Sequence, residues 1–115
     1  MTPEARRAVA FIAGHFVSGK GRAIYDYDKG GYIHFSGSVN SGVHLYDHQA
    51  RAHITGSTKQ FYHHGLSAHI SLDISGKNFQ GYDYGSGSQF SGNVRSNNIT
   101  LYDYAASKHF QYLLT

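Results

Sequence analysis

Two periods divide the chain. Over the first twenty residues the apolar positions Ala5, Ala8, Val9, Ile12 and Phe16 fall on one face at helical spacing. Ahead of them stand a hydroxyl side chain, Thr2, a proline suited to the first helical position, Pro3, and an acid near the positive end of the dipole, Glu4. Gly19 can close the segment in a left-handed conformation. The pattern predicts an amphipathic helix over 3–18. Its apolar stripe needs cover, and the expected cover is the sheet built by the rest of the chain, with a membrane surface or another protein as the other takers.

After Gly21 the period changes from 3.6 to 2. Five segments align beneath one another: YDYDKGGYIHFSGSV from Tyr25, YDHQARAHITGS from Tyr46, YHHGLSAHISLDI from Tyr62, YDYGSGSQFSGNV from Tyr82 and YDYAASKHFQYLL from Tyr102. Ile54, Ile70, Phe90 and Phe110 each follow their tyrosine at the same interval; Phe35 lies two positions further on. Each segment predicts a hairpin of two short strands, and the polar clusters at 40–42, 75–78 and 95–98 turn the chain into the next one. The expected fold is α+β and mainly β: a helix over about 3–18 packed on an antiparallel meander of about ten strands, made of five hairpin repeats over 22–114 in a single domain, 1–115.

With short turns the expected register sets each leading tyrosine opposite the later Ile or Phe. The central Asp then faces His: Asp26 with His34, Asp47 with His53, and Asp103 with His109, while Asp83 meets Gln89 and His63 meets His69. Such pairs contribute about 0.2–1 kcal/mol each. Ile24, Leu45, Phe61 and Leu101 share the Asp side, so both faces of the sheet require partial cover from the helix, from sheet closure or from a second subunit.

Composition narrows the chemistry. The 115 residues contain no Cys, which excludes disulfides, thiolate metal sites and cysteine nucleophiles. Ten Lys and Arg are scattered through a chain of net charge +3, without the cluster that marks a phosphate-binding face, so nucleic acid is disfavoured as a partner. No apolar run approaches the roughly 18–20 residues of a transmembrane helix. Arg6 and Arg7 precede an apolar stretch in the manner of a signal peptide, but His15 interrupts it and no small-x-small site follows. This favours the cytoplasm, with the periplasm and secretion left open.

The ten Tyr and nine His are the candidate chemistry. An Asp orienting a His is the start of general-base catalysis, with Ser36, Thr55 and Ser71 as candidate nucleophiles. Several similar pairs along one sheet read instead as structural, and no catalytic residue is assigned. Equivalent positions in successive hairpins lie about 10 Å apart, too far for shared zinc ligands unless strong curvature, a dimer axis, or His63 with His69 and a third ligand supplies a site. No cofactor is expected. Tyr27, Tyr32, Tyr84 and Tyr104, near the turns, form the candidate ligand surface if exposed together. Phosphate loops, nucleophile elbows and RNA-recognition signatures are missing.

The phrases FSGNV and LYDY, with the recurring YDY over 22–114, resemble a group of small bacterial proteins with repeated YDY and LYDY hairpin motifs. That resemblance implies a hairpin array and no activity. The period near twenty is also similar to MORN and choline-binding repeats, from which the chain departs in lacking Trp and in its glycine spacing. The expected protein is a noncatalytic β-repeat module interacting through its Tyr/His-rich sheet, either with itself or with a glycan or other macromolecule. The rival readings are a metal-dependent or hydrolytic enzyme using an Asp–His pair and a weak nucleic-acid or glycan binder.

Overall fold

The computed structural model describes residues 1–115. Helix α1 spans Pro3–Ser18, as the sequence predicts; Thr2 accepts a hydrogen bond from the Ala5 N–H, and Gly19, at φ 75°, donates to the His15 carbonyl. Ten strands follow: β1 (Ala23–Asp26), β2 (Gly31–Ser38), β3 (Val43–Asp47), β4 (Ala52–Gly56), β5 (Gln60–His63), β6 (Ala68–Ser75), β7 (Asn78–Asp83), β8 (Ser88–Arg95), β9 (Asn98–Asp103) and β10 (Lys108–Leu114). Each pairs antiparallel with its neighbours in sequence, and β1 pairs with β10, so the sheet closes into a barrel. Closure leaves no strand edge free, which removes the edge pairing that an open sheet would offer a second copy.

The register corrects the expected cross-strand pairs. At one rim the turns 27–30, 48–51, 64–67, 84–87 and 104–107 are all four residues long. Each ends in a left-handed residue: Gly30, Arg51, Ser67, Gly87 and Ser107. Compared with the expected turns, these shift every return strand by an odd number of positions, and an odd shift exchanges faces. Tyr25 therefore pairs with Tyr32, Tyr46 with His53, Tyr62 with His69, Tyr82 with Gln89 and Tyr102 with His109. The pairs Asp26–His34, Asp47–His53 and Asp103–His109 do not form. Asp26, Asp47, Asp83 and Asp103 are buried inside the barrel, whereas His34, His53 and His109 stand exposed outside it.

The helix lies within the barrel and not on one face of a sheet. Every residue from Ala5 to Gly14 is buried, including Arg6 and Arg7, whereas a helix lying on a surface buries only a stripe. Phe11 stacks on inward-facing Phe35 with ring centroids 4.3 Å apart, and Gly14 sits so close to Ile99 that an added Cβ would come within 2.6 Å of its Cδ1. Eight strands enclose room only for side chains; ten admit a helix if its residues are small, as Ala5, Ala8, Ala10, Ala13 and Gly14 are. The inward strand residues Ile24, Leu45, Ile54, Phe61, Ile70, Phe90, Ile99 and Leu101 complete one core around it. No helix is long and apolar enough to cross a membrane. The outward strand positions are mostly Ser, Thr, Asn, Gln, Tyr and His.

Candidate functional site

The repeated Asp closes the turns from inside. Asp26 Oδ1 accepts the N–H groups of Asp28 and Lys29 at 3.0 and 3.2 Å, and Asp47 Oδ1 those of Gln49 and Ala50 at 2.9 and 3.0 Å. Asp103 binds the N–H groups of Ala105 and Ala106 in the same way, and Asp83 takes the Gly85 N–H and the Ser86 hydroxyl. The second oxygens of Asp103 and Asp26 face the start of the chain and of α1. Asp103 Oδ2 lies 3.2 Å from the Met1 nitrogen and 3.7 Å from Arg6 Nη1, and Asp26 Oδ2 lies 3.9 Å from Arg7 Nη1. Burial, with the nearby Asp26 carboxylate second, pushes the Tyr112 phenol well above its ordinary range against an opposing pull from Arg6.

The third hairpin carries His63 where the others carry Asp. His63 and Asp47 are both fully buried, with Nε2 3.9 Å from Oδ2, and neither His63 nitrogen nor this oxygen has a hydrogen-bond partner. His69 points outside, opposite Tyr62, so His63 and His69 lie on opposite faces of the wall. No three His, Asp or Glu side chains converge in a metal-binding arrangement.

Outside, the same rim carries an aromatic belt. Each leading tyrosine meets the ring two positions on, as Tyr25 meets Tyr27, Tyr46 meets His48, and Tyr102 meets Tyr104, with centroids 4.8–5.0 Å apart. Tyr25, Tyr46, Tyr62 and Tyr102 also pack against their cross-strand partners at 4.6–4.9 Å. Such edge-on contacts hold rings in fixed orientations. Ser36 contacts His48, Thr55 Oγ1 lies 2.9 Å from His64 Nε2, and Ser91 Oγ lies 3.2 Å from the Tyr104 hydroxyl. Ser71 instead accepts the backbone N–H of Tyr82. Tyrosine takes the place of histidine in the Ser91 contact, and the turn-closing carboxylates point inward, away from these outer imidazoles.

Below the belt, two adjoining hollows of about 630 and 450 Å³ lie over β6–β8 and β6–β10 and share Asp73, Gln80 and Ser91. Their polar lining adds Ser71, Asn78, Asn93 and Thr100, and Tyr82, Tyr102, Tyr104 and His109 bound the belt side. Gly81 and Gly92 lie beneath. Each pairs with a phenylalanine, Gly81 with Phe90 and Gly92 with Phe79, whose ring fills the space inside the barrel. A Cβ on Gly92 would stand 2.1 Å from the Thr100 carbonyl oxygen, so only glycine permits the strands to approach this closely.

Tyr27, Tyr32, Tyr84 and Tyr104 are all exposed, at 55, 56, 62 and 51 %. Of these four only Tyr104 borders the groove. Asp73, Gln80, Asn93 and Thr100 went unmarked in the sequence because outward polar residues on a strand look like ordinary solvated surface; the glycines inside β7 and β8 were the available signal of close backbone approach. No protein-family model, curated protein or solved structure matches this chain.

Proposed function

We propose that the protein is a noncatalytic binding module for a neutral glycan, which lies along the groove over β6–β10. The observation that carries this reading is the joined groove itself, in which amide, hydroxyl and carboxylate side chains are bordered by tyrosine rings already held by their neighbours. Sugar hydroxyls need paired donors and acceptors, and the C–H faces of pyranose rings pack on aromatic rings. Gln80, Asn78 and Asn93 offer both hydrogen-bonding roles, Asp73 accepts only, and Ser71, Ser91 and Thr100 adapt by rotating a hydroxyl. Among the lining residues the formal charges are Asp73 and Lys59, of opposite sign, with His109 at the edge. A polyphosphate would find little compensation there.

We read the five hairpins as copies of one unit whose outward Tyr and Ser/Thr positions were kept for this surface while the inward Asp closes each turn. The test is calorimetric titration with cellotetraose, maltotetraose and chitotetraose. Binding of at least one is expected, with Tyr102→Ala and Gln80→Ala each weakening it about tenfold, equivalent to 1.4 kcal/mol. Tyr32→Ala, away from the groove, should leave affinity unchanged. Failure of all three tetrasaccharides to bind at millimolar concentration would refute the reading.

A further inference from the structure

We infer that the barrel carries a second glycan site on the wall β2–β4, opposite the groove, so that one molecule holds two glycan chains; this rests on the glycan reading of the groove. The two walls share a register. Phe35, Ser36 and Gly37 pair with Asp47, Tyr46 and Leu45, as Phe90, Ser91 and Gly92 pair with Asp103, Tyr102 and Leu101. On the next strand His53 pairs with Tyr46 as His109 pairs with Tyr102. The correspondence extends to side chains: Ser36 contacts His48 where Ser91 contacts Tyr104, one position after the turn-closing Asp in both cases.

The β2–β4 wall has its own hollow of about 280 Å³, lined by Ser36, His44, Tyr46, His53 and Thr55 and floored by Gly37. A Cβ on Gly37 would lie 1.9 Å from the His44 carbonyl oxygen, the same close approach that Gly92 makes to Thr100. His44 stands where the larger groove has the smaller Thr100, and the hollow is smaller. Its lining contains no carboxylate, Lys or Arg. It therefore takes the same ligand class, a neutral sugar chain, over fewer rings and with lower affinity.

The two sites are set apart by the closed sheet. The joined groove is centred on β8 and the hollow on β3, five strands away in a ring of ten, which is the greatest separation the barrel allows. The molecule measures 31 × 30 × 28 Å, and a tetrasaccharide on one wall would have to pass half the circumference to reach the other. The sites are filled by separate chains, and the protein cross-links polysaccharide.

Calorimetry with cellotetraose, maltotetraose and chitotetraose, followed by turbidity with the soluble polymer of whichever sugar binds, tests this. Two sites per molecule are expected, one weaker. Tyr46→Ala or Thr55→Lys should remove only the weaker site, Tyr102→Ala the stronger, and each single variant should stop cross-linking. Thr55→Lys places a charge in the hollow without removing Tyr46 from the belt, so it serves even where Tyr46→Ala disturbs folding. One site per molecule, lost in Tyr102→Ala and untouched by both β2–β4 variants, would overturn the second site and leave the groove standing. No binding to the wild-type protein would overturn both.

Discussion

At the scale of single residues, Asp26 and Asp103 in their YDY phrases are two-sided connectors. One oxygen ties the turn and the other faces the helix, where Arg6 and Arg7 stand near Asp103 and Asp26. The third hairpin departs from the pattern with His63, which faces Asp47, an aspartate that neither arginine pairs with. Restoring the common residue, His63→Asp, would bring two buried carboxylates together. The variant should be less stable than His63→Asn by about 1–3 kcal/mol at neutral pH. Repulsion raises the folded-state carboxylate above its unfolded value, so the penalty exists where the unfolded Asp is ionised and shrinks as pH falls towards 4. Urea titrations of the two variants at pH 7 and 4.5 should show the gap closing.

Tyr112 makes a second pH-dependent contribution at the same scale. Its folded-state phenol is held above the ordinary value of 10.0, chiefly by burial. A raised acid keeps its proton in the native state when the unfolded chain has lost it, so this stabilisation is complete below pH 10 and declines above it. Tyr112→Phe should flatten the loss of stability between pH 9.5 and 11 relative to the wild type, as read by chemical denaturation at each pH.

At the scale of elements, turn length decides which face each side chain occupies. The alternating strands and the positions of the hairpins were legible in the sequence because apolar and polar residues alternate around Tyr, Gly and Ser. The fourth turn residue was not. Gly30 and Gly87 suit a left-handed end to the turn, but Arg51, Ser67 and Ser107 adopt the same backbone against their preference, and nothing local marks them. Two glycine variants separate the forces at work. Gly30→Ala meets no neighbouring atom and should cost only the left-handed strain, about 1–2 kcal/mol. Gly92→Ala drives a Cβ into the Thr100 carbonyl and the Phe79 ring and should cost more than 3 kcal/mol, or prevent folding, in parallel thermal melts.

At the scale of the whole molecule, the helix and the barrel determine each other's size. Ala10 is fully buried, so Ala10→Leu adds three carbons where the lumen has no room and should destabilise by about 1–3 kcal/mol. The same enlargement would be harmless on a helix whose opposite face met water, so a thermal melt of this variant distinguishes a threaded helix from one lying on a sheet. Phe16→Leu, at a half-exposed position, is the control and should change stability little.

The chain by itself determined the helix from Pro3 to Ser18, the strand-rich remainder and the approximate places of the turns, because capping groups and apolar periods act over a few neighbouring residues. The tertiary structure decided the rest. Closure of β1 on β10 created an inside, and that inside took the helix, the aspartates and both arginines together. It also turned His34, His53 and His109 outward and joined Asp73, Gln80, Asn93 and Thr100 into one groove. These are contacts between strands whose register depends on a single turn residue, and a local pattern of alternation reads equally well in either register until the core selects one.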